Sequence, residues 1–112
     1  MNVEIIKEMY DVPYSNTIEY NLLIDGKKVG YLSIEKQNKK YVVLVTNIQK
    51  KYRKRGFGKM LYLTALEDLG KISTQFHKAS YVAQLIWLSM TKKYSYRTNY
   101  FTGTLTIYNR RK

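Results

Sequence analysis

The sequence contains no cysteine and only one histidine, His77. Disulfide frameworks, thiolate zinc sites and cysteine nucleophiles are therefore excluded, and one histidine among scattered carboxylates cannot build a metal site. No apolar run approaches the roughly 18 residues of a membrane-spanning helix, and the N-terminus lacks the pattern of a signal peptide. We therefore expect a cytoplasmic protein that uses no metal and no membrane.

Acidic residues are also scarce. The chain has eight aspartates and glutamates and 20 lysines and arginines, which gives a net charge of +12. Such a charge attracts nucleic acid, a phosphorylated cofactor or an acidic protein partner, and it does not choose among them. The chain has one proline and no low-complexity tract, and 45% of its residues are hydrophobic. These values predict a single globular domain, residues 1–112, with one core.

The first half of the chain shows strand patterns. Residues 3–9 and 17–24 mix alternating and continuous apolar positions, and a further alternating run covers 28–34. Asp25-Gly26 separates the last two runs and favours the positive φ angles of a tight hairpin turn. Residues 41–48 are continuously apolar and β-branched, which predicts a central strand.

The period then changes to that of a helix. Residues 57–69 carry apolar side chains at helical spacing, and Gly70 stands where a left-handed C-cap belongs. A short strand at 71–75, a second amphipathic helix over 79–90 and one final strand at 100–108 complete the prediction. The order indicates an α+β fold in which helices pack on the faces of a mixed, mostly antiparallel central sheet.

The densest local signal is KKYRKRGFGKMLY, residues 50–62, which lies between the predicted central strand and the first helix. The amides of a helix N-terminus are unpaired and carry partial positive charge, so they bind anions. Gly56 and Gly58 allow a close approach of the backbone to a phosphate, and the surrounding bases add charge. The pattern is neither a Walker loop nor the three-glycine dinucleotide fingerprint.

Arg53 to Gly58 read R-x-x-G-x-G, and in this position the pattern resembles the acetyl-CoA motif of the GNAT superfamily of N-acetyltransferases. The resemblance covers about 41–91, whereas the N-terminal part is abbreviated because 11–16 is too short for a pair of helices. It implies that the chain binds acetyl-CoA, transfers the acetyl group to an amine and needs no metal. The implied cofactor-binding residues are Ile48, Arg53, Lys54, Arg55, Gly56, Phe57, Gly58 and Lys59.

The second helix aligns only in part with the family pattern N-x-x-A-x-x-L-Y. Ser80 stands at the asparagine position and Ala83 matches the alanine, while Ile86 and Trp87 stand at the leucine and the tyrosine. The resemblance makes that tyrosine the general acid for the departing thiolate, and an indole cannot serve in its place. The tryptophan and the serine-containing segment 71–74 look like those of small phage-encoded members, which implies the cytoplasm of a host cell.

Candidate catalytic groups are few. Glu35, at the end of the strand before the central one, is a weak candidate for a general base, with Glu19 and His77 behind it. Tyr94, after the second helix, is a weak candidate for the proton donor. Each residue also fits a purely structural place, such as a solvated strand edge or an exposed loop. The catalytic residues, and the acceptor amine, therefore stay open.

Two alternatives to an acetyltransferase remain open. The first is a catalytically inactive GNAT-fold protein that acts as an interaction partner or inhibitor, for example against a phage host. The second is a basic nucleic-acid-binding module in which residues 50–59 and 110–112 grip phosphates and Tyr52 stacks on a base.

A homodimer is a further expectation from the sequence. Thr102, Thr104 and Thr106 alternate along the predicted final strand. If that strand lay at the edge of the sheet, its outward threonines would allow it to pair with a second copy across a two-fold axis.

Overall fold

The structure is a computed structural model that describes residues 1–12 and 15–112. Residues 13 and 14, which belong to the segment predicted to be too short for helices, lie outside the described residues. The strands are β1 (Val3–Val12), β2 (Ser15–Ile24), β3 (Lys27–Gln37), β4 (Lys40–Ile48), β5 (Lys71–Gln75), β6 (Tyr94–Asn99) and β7 (Thr104–Arg111). The helices are α1 (Phe57–Leu69) and α2 (Tyr81–Thr91).

The strands form one sheet in the order β1-β2-β3-β4-β5-β7-β6. All neighbours are antiparallel except β4 and β5, which run parallel because α1 connects them. Asp25 and Gly26 have φ angles of 51° and 80° in the β2–β3 turn, as the sequence predicts. The mixed, mostly antiparallel α+β fold is confirmed.

The parallel contact between β4 and β5 is short. Its hydrogen-bonded register consists of Val42 opposite Ser73. Residues 43–48 of β4 therefore continue with no strand partner on the β5 side within the described chain. β4 is the middle strand, as predicted, yet Leu44 and Val45 are 49% and 46% exposed. The separation of the two strands opens a cleft through the sheet.

One hydrophobic core joins both helices to one face of the sheet. Ile18, Tyr20, Leu22 and Ile24 alternate along β2 and are all buried, which is the period of a strand with one covered face. The core residues of the helices are Phe57, Leu61, Tyr62, Ala65, Leu66, Trp87 and Met90. The same strands also carry exposed charged and polar residues, such as Lys28 on β3 and Asn47 on β4.

Helix α1 has the bounds that the sequence predicts, because glycines limit it at both ends. Gly56 precedes it with a φ angle of 83°, and Gly70 ends it with a φ angle of 85°. The Gly70 amide donates to the Leu66 carbonyl at 2.9 Å, which satisfies one of the free carbonyls of the last turn. Helix α2 begins after Ser80, whose hydroxyl accepts from the Ala83 amide at 3.2 Å.

The final strand predicted over 100–108 is confirmed from Thr104 onward, as β7, whereas residues 100–103 form a turn and the preceding strand β6 was not predicted. Strands β6 and β7 form a hairpin; Thr102 and Gly103 belong to its turn, where Gly103 has a φ angle of 71°, and Thr104 begins β7. Strand β7 lies between β5 and β6, so both of its edges are paired. Pairing of its threonines with a second copy is therefore excluded; the Thr106 hydroxyl instead hydrogen-bonds Ser73 at 2.7 Å. A homodimer formed in another way stays a prediction.

Candidate active site

A tight basic loop leads from β4 into α1. A single 3-10 turn covers Lys50–Tyr52, and positive φ angles follow at Lys54 (64°) and Gly56 (83°). The Arg53 Nε donates to the Ile48 carbonyl at 2.7 Å and so ties the loop to the end of β4. This contact fixes where the amides of the helix N-terminus lie relative to the strand.

The first amides of α1 are free. The first backbone hydrogen bond of the helix runs from the Met60 amide to the Gly56 carbonyl at 3.0 Å. Within the part of the chain that the structure describes, the amides of Phe57, Gly58 and Lys59 donate to no backbone or side-chain acceptor, and no acidic residue lies in the first turn. These amides and the helix dipole favour a bound anion.

The two loop glycines differ in what they allow. A side chain at Gly56 would meet nothing within 4 Å, but the left-handed conformation there disfavours any other residue. Gly58 has no such φ angle; a Cβ there would lie 3.4 Å from Ile86 Cδ1 of α2. Gly56 therefore sets the turn, whereas the backbone at Gly58 would accept a small side chain.

The bases of the loop make no ion pair among the described residues, whose salt bridges join Lys7 to Asp68 and Lys28 to Glu19. The Arg55 guanidinium lies 5.9 Å from the centre of the Tyr52 ring, and the Lys51 ammonium lies 5.6 Å from it. Because the ring is also half-buried against the core, it is poorly placed to stack on a nucleic-acid base. The cations remain available to an anion.

Not every predicted cofactor-binding residue offers its side chain. Phe57 is 6% exposed and belongs to the core, so only its amide can reach a ligand. Ile48 also packs against the core, and its carbonyl is occupied by Arg53. Arg53 itself holds the loop, whereas Lys54 and Arg55 are exposed.

The β4–β5 cleft has a volume of about 580 Å³. Its walls come from β4, from the end of β5 and the turn after it, from both helices and from the β6–β7 hairpin. The lining residues are Gln37, Lys40, Val42, Val43, Leu44, Val45, Thr46, Tyr62, Thr74, Gln75, Lys78, Ala79, Ser80, Ala83, Trp87, Thr102 and Thr104.

Tyr62 brings a phenol into the cleft. Its hydroxyl lies 2.5 Å from the Thr46 Oγ1, and its ring centre lies 5.2 Å from that of Trp87. Burial raises the pKa of Tyr62, which the Thr46 hydroxyl and the nearby Trp87 indole oppose. The Trp87 N–H is buried and has no hydrogen-bond acceptor among the described residues.

The catalytic candidates from the sequence do not line the cleft. The nearest is Glu35, whose Oε1 accepts from the Nε2 of Gln37, a lining residue, at 2.7 Å. Glu19 is paired with Lys28 at 3.1 Å. Tyr94 lies on β6 under the Arg111 guanidinium, which is 5.3 Å from its ring centre.

His77 is likewise outside the lining; it is exposed, and its ring contacts Phe76 edge-on at 6.0 Å between centres. The residue that sequence reasoning missed is Tyr62. It was visible only as a member of the apolar stripe of α1, and its spacing gave no sign that β4 would place a hydroxyl beside it.

No group of three or more histidine, aspartate or glutamate side chains is close enough to hold a metal ion in residues 1–12 and 15–112. Over the same residues, no helix is long and apolar enough to cross a membrane.

Solved structures share this fold. The PaiA N-acetyltransferase of Thermoplasma acidophilum, solved with coenzyme A, is 12% identical with a TM-score of 0.62 over 86% of this chain and 61% of that chain. The ribosomal-protein-S18-alanine N-acetyltransferase of Escherichia coli is 14% identical, with a TM-score of 0.59 over 81% of this chain and 65% of that chain. The IAA acetyltransferase of Bacillus cereus is 16% identical, with a TM-score of 0.60 over 96% of this chain and 99% of that chain.

The chain therefore has the fold of the GNAT acetyltransferases, which confirms the fold that the R-x-x-G-x-G resemblance implied. It spans less than two thirds of the length of the first two of these proteins and nearly all of the third. No protein-family model matches the sequence, and a search of curated proteins finds no relative.

Proposed function

We propose that this chain is an N-acetyltransferase that uses acetyl-CoA and transfers the acetyl group to an amine. The observation that carries the proposal is that α1 starts with the free amides of Phe57, Gly58 and Lys59 and, one turn later, carries Tyr62 into the β4–β5 cleft. An anion site and a cleft residue on the same helix fit a long molecule with a phosphate end and a reactive end. The solved neighbour with bound coenzyme A has the same fold.

The phosphate end would be held by the helix amides, by the exposed Lys54 and Arg55 and by the half-buried Lys59. Gly58 leaves the first turn of α1 without a side chain, and a Cβ there would make only an ordinary contact with Ile86 Cδ1 at 3.4 Å. Bound acetyl-CoA would supply the acetyl group as a reactive thioester. The remaining chemistry belongs to the residues of the cleft.

Tyr62 is the proton donor that we propose for the departing thiolate. The tyrosine that the resemblance places on the second helix is Trp87 here, and the Tyr62 ring contacts that tryptophan. A phenol with a raised pKa keeps its proton at neutral pH and is available to donate it. Thr46, at 2.5 Å, orients the hydroxyl and offers a route for the proton to return.

A second candidate function is nucleic-acid binding, and one observation favours it. Tyr100 and Phe101 are 91% and 103% exposed at the tip of the β6–β7 hairpin. The Asn99 Oδ1 orders this tip by accepting from the amides of Phe101 and Thr102 at 3.0 and 3.3 Å. Ordered exposed rings beside the basic Arg97 are suited to stacking on single-stranded bases.

One set of measurements separates the candidates. Calorimetric titration with coenzyme A, release of free thiol from acetyl-CoA with a panel of amines, and titration with short single-stranded DNA at two salt concentrations would be run on one preparation. Coenzyme A binding with amine-dependent thiol release supports the enzyme. Coenzyme A binding without thiol release supports an inactive GNAT-fold protein, and DNA binding alone, with a steep salt dependence, supports the nucleic-acid module. Action in the cytoplasm, including that of a phage host, stays a prediction.

A further inference from the structure

The β4–β5 cleft opens on both faces of the sheet. Val43 lies opposite Ile34, which is buried in the core beneath the helices, so Val43 and the helices share one face. Val42 lies opposite Glu35 and Ser73 and therefore points to the other face. Tyr62 and Trp87 line the cleft on the helix side, and a second opening lies on the opposite side.

Residues on the second opening can be identified from the strand register. Lys40 alternates with Val42 on β4 and lies opposite Gln37 of β3. On β5, Gln75 is two residues after Ser73 and lies opposite Thr104 of β7, so Gln75 and Thr104 lie on the same face of the sheet as Val42 and Lys40. All four of these polar residues line the cleft. The opening away from the helices is therefore polar, and it is separate from the anion site at the start of α1.

The charge of the cleft is positive. Its ionisable lining residues are Lys40, Lys78 and Tyr62, and no carboxylate lines it within the described chain. Neither lysine makes a salt bridge there. Glu35 is the nearest acid, and it reaches the lining only through Gln37.

The rest of the chain supplies few negative charges that could offset the two lysines of the cleft. Residues 36–112 contain 17 lysines and arginines and two acids, whereas residues 1–35 contain three lysines and six acids. The two acids of the longer part, Glu67 and Asp68, line a different cavity, beneath Tyr20 on the far side of α1. A cationic ligand would therefore enter the β4–β5 cleft against repulsion.

This charge bears on the acceptor amine in two ways. Nearby cations disfavour the ammonium form and lower the pKa of an amine, so they promote the neutral nucleophile without a carboxylate base. The same cations repel an acceptor that carries further positive charge. An anionic group on the acceptor, close to its amine, would reverse the repulsion and hold the molecule in place.

We infer that the acceptor is a primary amine that carries a carboxylate or a phosphate close to its nitrogen, and that Lys40 and Lys78 bind this anionic group. The inference rests on the proposed acetyltransferase function. In the reaction the nitrogen attacks the acetyl carbonyl carbon, the C–N bond forms and the C–S bond breaks. The sulfur takes the bonding electron pair and the Tyr62 proton, and the amine gives up its extra proton to the phenolate by way of the Thr46 hydroxyl.

Four small amines test the inference: 2-aminoethyl phosphate, β-alanine, ethanolamine and 1,4-diaminobutane. Each is titrated into the protein by calorimetry and tested for thiol release from acetyl-CoA. We expect kcat/KM for the two anionic amines to exceed that of ethanolamine at least about tenfold, with 1,4-diaminobutane the poorest. In Lys40→Glu and Lys78→Glu the preference should fall at least about tenfold, because each replacement reverses a charge in the cleft.

Two matched variants control the test. Lys92→Glu makes the same change of net charge at the C-cap of α2, outside the cleft lining, and should keep the preference. Lys78→Met removes the charge without introducing an acid, so it should lower the preference less than Lys78→Glu does. Coenzyme A affinity should stay within about twofold in all four variants.

The outcomes separate the inference from the proposed function. Thiol release with no charge preference, or with a preference that Lys78→Glu and Lys40→Glu leave intact, overturns the inference and leaves the function standing. Lysine-dependent binding of the anionic amines without thiol release supports the anion site and contradicts the acetyltransferase. If the anionic amines neither bind nor react while coenzyme A binds, the anion site is wrong.

Discussion

The Tyr62 hydroxyl lies 2.5 Å from the Thr46 Oγ1, and this contact joins α1 to the part of β4 that has no strand partner on the β5 side. It places two hydroxyl groups on the helix side of the β4–β5 cleft. A buried phenol needs a hydrogen-bond partner. Here the partner is a second hydroxyl, a group that can both donate and accept a proton.

Tyr62→Phe should therefore lower kcat for acetyl transfer by about 100-fold, as expected for loss of a general acid. Coenzyme A affinity should change little, because the anion site at the start of α1 does not involve the phenol. Steady-state thiol release and calorimetry measure the two effects. Tyr94→Phe is the matched control, since Tyr94 lies outside the cleft, and should leave kcat unchanged. Equal losses in both variants would argue against a proton donor at Tyr62.

The raised pKa of Tyr62 predicts the pH dependence of kcat. A donor must be protonated, and burial holds the phenol proton above the ordinary tyrosine pKa of about 10. The alkaline decline of kcat that belongs to this group should therefore be centred above about pH 10, and Tyr62→Phe should abolish it. A decline centred between pH 7 and 9 that survives in Tyr62→Phe would assign the proton transfer to another group.

Local signals were enough to predict α1 and the basic loop, because Gly56 and Gly70 mark the helix ends by conformations that other residues avoid. The β6–β7 hairpin was missed since Tyr96 and Arg97 are exposed on an edge strand and give no apolar alternation. Tyr62 as a site residue was missed for a different reason. Its role depends on Thr46, which strand β4 brings beside it through the packing of the whole sheet, and no local pattern encodes that contact.

The two loop glycines should respond differently to alanine. Gly56→Ala should destabilise the protein by about 1–2 kcal/mol, because Gly56 has a φ angle of 83°. Gly58→Ala should be neutral or slightly stabilising, since alanine is the better helix former and its Cβ makes an ordinary contact with Ile86 at 3.4 Å. Urea unfolding of both variants measures the difference, and equal midpoints would contradict the assignment of the turn to Gly56.

Gly58→Glu should abolish coenzyme A binding while the fold is kept. A carboxylate in the first turn interacts favourably with the helix dipole, so the fold should tolerate it. The same carboxylate would fill the place where the phosphate lies and would repel the phosphate charge. Gly58→Gln has nearly the same volume and no charge, so it separates bulk from charge. Binding is expected to fall further in the Glu variant than in the Gln variant, as measured by calorimetry. Undiminished binding in Gly58→Glu would remove the amides of α1 from the site.

Arg55→Glu should weaken coenzyme A binding about tenfold, the equivalent of one charge-assisted contact. The loss should shrink as salt rises from 0.05 to about 0.5 M, because Arg55 is exposed and its field is screened. Arg97→Glu makes the same charge change on β6, away from the basic loop. It should leave coenzyme A binding intact, and it should instead weaken DNA binding if the hairpin tip binds nucleic acid.

The junction between α1 and the first two strands should lose stability in acid. The Lys7 ammonium lies 2.7 Å from the Asp68 Oδ2, and the Tyr20 hydroxyl donates to the same oxygen at 2.7 Å. Both contacts lower the pKa of Asp68 below its ordinary value. Its stabilising contribution is therefore fully present above the unfolded pKa of about 3.9 and is lost as the pH falls through the lower folded value.

Substitutions at this junction divide the effect between the charge and the buried hydroxyl. Lys7→Met should cost at most about 1 kcal/mol, because the ion pair is solvent-exposed. Asp68→Ala should cost more, about 1–3 kcal/mol, since it also leaves the hydroxyl of the buried Tyr20 without its acceptor. Adding Tyr20→Phe to Asp68→Ala should recover part of that loss. Urea unfolding at pH 7 and pH 3 measures each step, and an Asp68→Ala cost that is unchanged at pH 3 would show that the carboxylate charge contributes nothing.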